Sequence, residues 1–152
     1  MANTQAMCTS FLGELLTATH DFTPSTGDTF KAALYLTSAT INASTTAYTS
    51  TGEVSGTGYS AGGVAVTNGT APSSTNTSST AGTAYWTPSA SITYTSVTLT
   101  TAFDTVLIYN STQSNKAVSV HTFGSQTITA GTFTLTMPSN TTSTALLRLA
   151  TT

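Results

Sequence analysis

Apolar and polar positions alternate with a period of two over most of this chain, the signature of strands that bury one face. The clearest stretch runs from Phe103 to Met137: FDTVLIYNST, then NKAVSVHTFG, then SQTITAGTFTLTMP. Val106-Leu107-Ile108-Tyr109 is apolar without interruption, as expected of a central strand covered on both faces. Val118 and Val120 alternate with Ser119 and His121. Residues 127–133 read as a hairpin with its turn at Ala130-Gly131, because Gly tolerates positive φ. Phe133, Leu135 and Met137 then share one face, and Thr132, Thr134 and Thr136 the other, turned to water or a partner. Pro138 ends the pattern by removing a ladder donor.

Upstream, residues 29–37 predict a strand with Phe30, Ala32, Leu34 and Leu36 on one face and Lys31, Ala33 and Tyr35 on the other. Val64–Val66, residues 83–88 and residues 144–150 are shorter strand candidates. Residues 91–100 alternate, but the apolar phase slips between Tyr94 and Val97. A bulge at Thr95-Ser96, or a strand passing from one sheet to another, accounts for the slip. Residues 4–17 are the helical candidate: Cys8, Phe11, Leu12, Leu15 and Leu16 recur at helical spacing, with Asn3 or Thr4 as N-cap. Its stripe packs either on its own sandwich or on a neighbouring subunit. The glycine-rich segment Gly56–Gly63 and the Ser/Thr/Asn-rich segment Asn68–Gly82 read as loops, the second exposed and mobile.

About eight short strands and almost no helix predict an all-β fold: a two-sheet antiparallel β-sandwich, jelly-roll-like or Ig-like, with a short N-terminal helix or arm. Residues 1–18 form the arm and residues 19–152 a single sandwich domain.

Composition narrows the function classes. Only 5% of residues are charged and the formal net charge is -2. Ser and Thr make up roughly two residues in five, far above ordinary usage. Lys31, Lys116 and Arg148 are dispersed, so there is no electrostatic case for nucleic acid or an anionic membrane. A polar but uncharged surface suits a protein that works inside an assembly. The single Cys8 has no intramolecular partner for a disulfide. The first residues lack a basic leader, and no apolar run is long enough to span a bilayer, so the chain is expected to be made and kept in a cytoplasm until assembly.

No motif carries catalysis. The Gly56–Gly62 stretch lacks the last glycine of a dinucleotide loop and the Lys-Ser/Thr of a phosphate loop. His20-Asp21 and His121 combine with some serine only because serines abound, and no Gly-x-Ser-x-Gly elbow is present. Two histidines and five dispersed carboxylates make neither a metal site nor a glycosidase pair. No cofactor is expected. Trp86, Tyr85 and Tyr94 read either as core packing or as a platform for stacking a sugar.

Two segments, DTFKAALYLTSATINASTTAYTSTGEVSGTGYSAGGVAV (residues 28–66) and LIYNSTQSNKAVSVHTFGSQTITAGTFTLTMP (residues 107–138), resemble small Thr-rich structural proteins of tailed bacteriophages, the capsid decoration or cement type. The resemblance lies in wording and composition and covers most of the chain. It implies a non-enzymatic virion protein on the outer head surface, made in the host cytoplasm. It further implies a homo-oligomer, dimer or trimer, whose partner is the major capsid protein. The expected interface residues are Phe11, Leu12 and Leu15 on the helix and Tyr59 in the glycine loop. The competing expectation is a tail-fibre or tail-tip domain that binds carbohydrate.

Overall fold

A computed structural model describes residues 2–75 and 82–151. In chain order it holds β1 (Ala6–Met7), α1 (Thr9–Leu16), β2 (Phe30–Leu36), β3 (Val64–Val66), β4 (Ser73–Ser74), β5 (Thr83–Trp86), β6 (Ile92–Asn110), β7 (Lys116–Leu135) and β8 (Leu147–Ala150). The strands form two antiparallel sheets, one of five in the order β1-β7-β6-β2-β3 and one of three in the order β4-β5-β8. The expected all-β, two-sheet sandwich is what the chain forms.

The sandwich is organised by the β6–β7 hairpin. Asn110 starts its turn: its side-chain oxygen accepts the N–H groups of Thr112 and Gln113, both at 3.1 Å. Ser114 and Asn115 then take positive φ, which a short polar residue tolerates at a turn. Beside the turn, Val106–Tyr109 are buried on both faces, between β2 and β7, as their unbroken apolar run requires.

The far half of this hairpin folds back over the near half. Phe123 and Phe133 belong to one strand, and a straight strand would separate them by roughly 33 Å. Their ring centroids are 5.2 Å apart, and both pack on Phe103. Register offsets make the fold-back possible. β6 takes one residue more than β7 between the Tyr94–Phe133 and Val97–Gly131 pairs, and β7 restores the count before Leu99–Ile128. Ser96 and Ala130, at φ 54 and 47, are the bulged residues. A second offset around Phe103–Gln126 also cancels by Thr105–Thr122. The phase slip at Thr95-Ser96 is therefore a bulge, and β6 stays in the five-stranded sheet on both sides of it. Ile92 and Leu135 from the far half meet Val106, Ile108 and Phe123 of the near half around a cavity of about 130 Å³. The Tyr94 hydroxyl donates to the Ala32 carbonyl across the layers at 2.8 Å.

Three expectations need correction. Ala130-Gly131 is no hairpin turn: β7 runs through it, because β6 stays paired on both sides of the bulge. The helix begins at Thr9, with Cys8 at its N-cap. Asn3 and Thr4 lie outside it as tethers, Asn3 donating to Leu36 O and Asp104 Oδ1 and accepting from Ile41 N. The helix can start late because Cys8 N–H and Thr9 N–H bond to the carbonyls of Val118 and Ala43. Finally, the Asn68–Gly82 segment is not all loop. Ser73–Ser74 pair with Ala84 and Tyr85, while residues 76–81 lie outside the described residues.

Candidate functional site

At one pole of the molecule α1, the loop before β2 and the small sheet meet around an aromatic cluster. Phe22 stacks on Phe30 at 4.4 Å and meets Trp86 edge-on at 4.8 Å and Phe11 at 6.1 Å. Phe11 and Trp86 are buried, and Trp86 Nε1 donates to the Thr70 carbonyl at 2.9 Å. Above this floor lies a groove of about 290 Å³, walled by Leu15, Tyr85, Leu147 and Leu149, with Asp21 and Thr23 among its polar lining. On the helix Leu12 is 40% exposed and Leu16 is 91% exposed. The helix ends here because Ala18 takes a left-handed φ of 53 and Thr17 and Thr19 donate back to Glu14 O. The groove and the two exposed leucines leave apolar surface uncovered at this pole, in a chain that carries little charge.

A partly buried polar chain holds the helix in place. Glu14 accepts from Lys116 Nζ at 2.5 Å and pairs with His20 Nε2 at 2.7 Å. Asn110, whose oxygen is committed to the hairpin turn, donates its amide to Asp28 Oδ2 at 2.7 Å and to His20 Nδ1 at 3.0 Å. That pattern assigns the remaining ring hydrogen to Nε2, which gives it to Glu14. Burial pushes the Glu14 pKa up, but the hydrogen bonds from Lys116 and His20 and the charge of Lys116 outweigh it and hold it below 4.5. Burial likewise opposes the Asp21 N–H, Asn110 and Gln113 hydrogen bonds at Asp28, and the bonds prevail, so its pKa is lowered. The hydrogen bonds and ion pairs among these groups make the cluster a clamp between α1, the loop before β2 and the β6–β7 turn.

The imagined hydrolase residues are not brought together. His20 is in the clamp, while Asp21 faces Thr23, whose hydroxyl and N–H lower its pKa. His121 borders the separate cavity, its Nε2 2.9 Å from Ser119 Oγ, and burial pushes its pKa down to about 4. Ser119 is fully buried, and His20 and Asp21 lie elsewhere. The Cys8 thiol is also buried, and desolvation followed by the charge of Glu14 pushes it up to about 11, far from a reactive thiolate. Among the described residues no three His, Cys, Asp or Glu side chains gather as metal ligands. Among them, too, no helix is long and apolar enough to cross a membrane.

Of the four residues expected at an interface, the structure places Leu12 on the surface, Leu15 in the groove wall and Phe11 in the core beneath it. Tyr59 is elsewhere. Its hydroxyl donates to Glu53 Oε1 at 2.7 Å and accepts from Leu34 N–H at 3.0 Å, which pins the glycine loop to the sheet. Sequence reasoning missed Leu149 and the exposure of Leu16. Their even spacing from Leu147 and Leu12 shows which faces they share, but not that those faces stay open. No family model, no curated protein and no solved structure matches this chain.

Proposed function

We propose that this chain is a structural protein of a tailed-bacteriophage virion, a decoration protein that binds the outside of the head. It would stabilise the head through contacts with the major capsid protein. The observation that carries the reading is the pole described above: Leu12 and Leu16 exposed on a clamped helix beside an aromatic-floored groove. Such a surface suits a protein partner, since burying an exposed leucine contributes about 1.5–3 kcal/mol. The resemblance of residues 28–66 and 107–138 to small Thr-rich phage proteins supplies the identity of that partner. Thr-rich strands with few charges fit a protein that serves as a rigid brace.

The tail-tip alternative draws no support from Trp86. At 3% exposure and with its N–H bonded to Thr70, it is a core residue and offers no face to a sugar.

The test is co-sedimentation of the purified chain with expanded phage heads stripped of decoration, alongside Leu12→Ser and Leu16→Ser. Saturable binding that raises the temperature of head disruption, and that weakens about tenfold or more in the leucine variants, supports the proposal. No binding to heads, or gold-labelled antibody confined to tail tips of intact virions, overturns it.

A further inference from the structure

We propose that β7 is the self-association edge of this chain, two copies pairing antiparallel along Gly131–Leu135 about a two-fold axis at Phe133. One side of β7 is paired to β6 throughout. The other is covered only at its start: by Ala47 opposite Lys116, by Cys8 N–H at Val118, and by β1 at Ser119 and Val120. From His121 to Leu135 no strand pairs on that side among the described residues. An open ladder of this length presents backbone donors and acceptors to another strand.

The sequence of the edge argues for a second copy as the occupant. Residues 117–147 contain no Asp, Glu, Lys or Arg. Open edges usually carry lysines that prevent pairing. In a two-fold pair any charge would approach its own mate, so a neutral strand is the kind that tolerates itself. The bulge at Ala130 and the offsets around Gln126 break the edge upstream, which leaves Gly131–Leu135 as its regular run. Centred on Phe133, the pair sets Thr132 opposite Thr134 of the second copy, a favourable hydroxyl pairing, and covers the half-buried Phe133 and Leu135.

The opposite end of the five-stranded sheet is β3, only three residues long. A head-to-tail contact of β7 on β3 would therefore be short, and the symmetric pair is favoured. The expected oligomer is a dimer. This inference does not rest on head binding and is tested without heads.

The experiment is light scattering on the purified free chain at several concentrations, with amide hydrogen exchange on the same samples. The expected result is a concentration-dependent dimer in which amides of Gly131–Leu135 gain protection as the dimer forms. In Thr132→Lys/Thr134→Lys like charges face each other across the pair, and the dimer should dissociate about tenfold more readily with an unchanged circular dichroism spectrum. If the double variant fails to fold, exchange on the wild type decides. A monomer at all concentrations, a trimer, a dimer indifferent to the lysines, or protection confined to α1 each overturns the proposal.

Discussion

Two of the aromatic groups in this protein do opposite things. Beside the glycine loop, Tyr35, Tyr48, Tyr59, Tyr94 and Tyr109 all end in a hydrogen bond. Their hydroxyls reach Thr49 O, Glu53 Oε2, Glu53 Oε1, Ala32 O and Gly62 O at 2.6–2.8 Å. Burial, with the Glu53 charge behind it, pushes the Tyr48 hydroxyl up to about 12 and Tyr59 higher still, so both stay protonated as donors. Around Phe11, Phe22 and Phe30 the polar bonds come from Trp86, the Asp21–Thr23 pair and the flanking clamp, and the cluster is left open toward solvent at the groove. Phenols with fixed partners lock a loop to one geometry, whereas plain rings with exposed leucines leave a surface whose burial still favours association. The glycine loop is thus a poor candidate for an interface, and the helix pole a better one.

The contrast can be broken most severely at Gly63. Its φ is +71, and a Cβ there would lie 1.7 Å from the Ala32 carbonyl oxygen. Gly63→Ala should cost about 4 kcal/mol or more, read as a lowered urea midpoint or loss of soluble protein. At the pole, Phe11→Ala should cost about 3–5 kcal/mol by opening a cavity under the groove. A loss below about 1 kcal/mol would show that the helix is not part of the core. Glu53→Ala leaves the Tyr48 and Tyr59 hydroxyls and Gly62 N–H without their acceptor, which predicts about 2–3 kcal/mol and faster amide exchange across residues 56–63.

Acid sharpens the comparison by acting in two windows. His121 is held at about 4 against an ordinary 6.5, so its neutral form stabilises the fold above pH 6.5. That contribution is lost as pH falls from 6.5 to about 4, and His121→Gln should remove this early phase from a denaturation midpoint series. Glu14 and Asp28 have lowered values, so their stabilisation is complete above 4.5 and 3.8 respectively and is lost at lower pH. Glu14→Gln should flatten that second, more acidic phase. The smallest effect is expected at Leu16, which is 91% exposed: Leu16→Ser should change stability by less than about 0.5 kcal/mol, so that any loss of partner binding is a surface effect.

Much of the fold was legible because strand faces are a local property. The alternation in residues 29–37 marks a strand, and Phe30–Leu36 forms β2. The slip at Thr95-Ser96 marks a bulge, and Ser96 is bulged. Ala130-Gly131 was misread because positive φ serves a hairpin turn and a bulge equally, and only the partner strand distinguishes them. The candidate site was legible only in part. The stripe on α1 names Phe11, Leu12, Leu15 and Leu16, but not which of them the body covers.

By itself the sequence determined strand periodicity, the short helix, the near absence of charge and the lack of any catalytic motif, since each depends on residue type and near-neighbour spacing. Tertiary structure alone decided that one hairpin folds back over itself around Phe103, Phe123 and Phe133. It also decided that Tyr59 is a lock, that Leu16 is exposed, and that from His121 onward no strand pairs with the second side of β7 among the described residues. Those outcomes depend on which distant segments meet. A side chain's period sets the face it shares, but only long-range packing determines whether that face is covered.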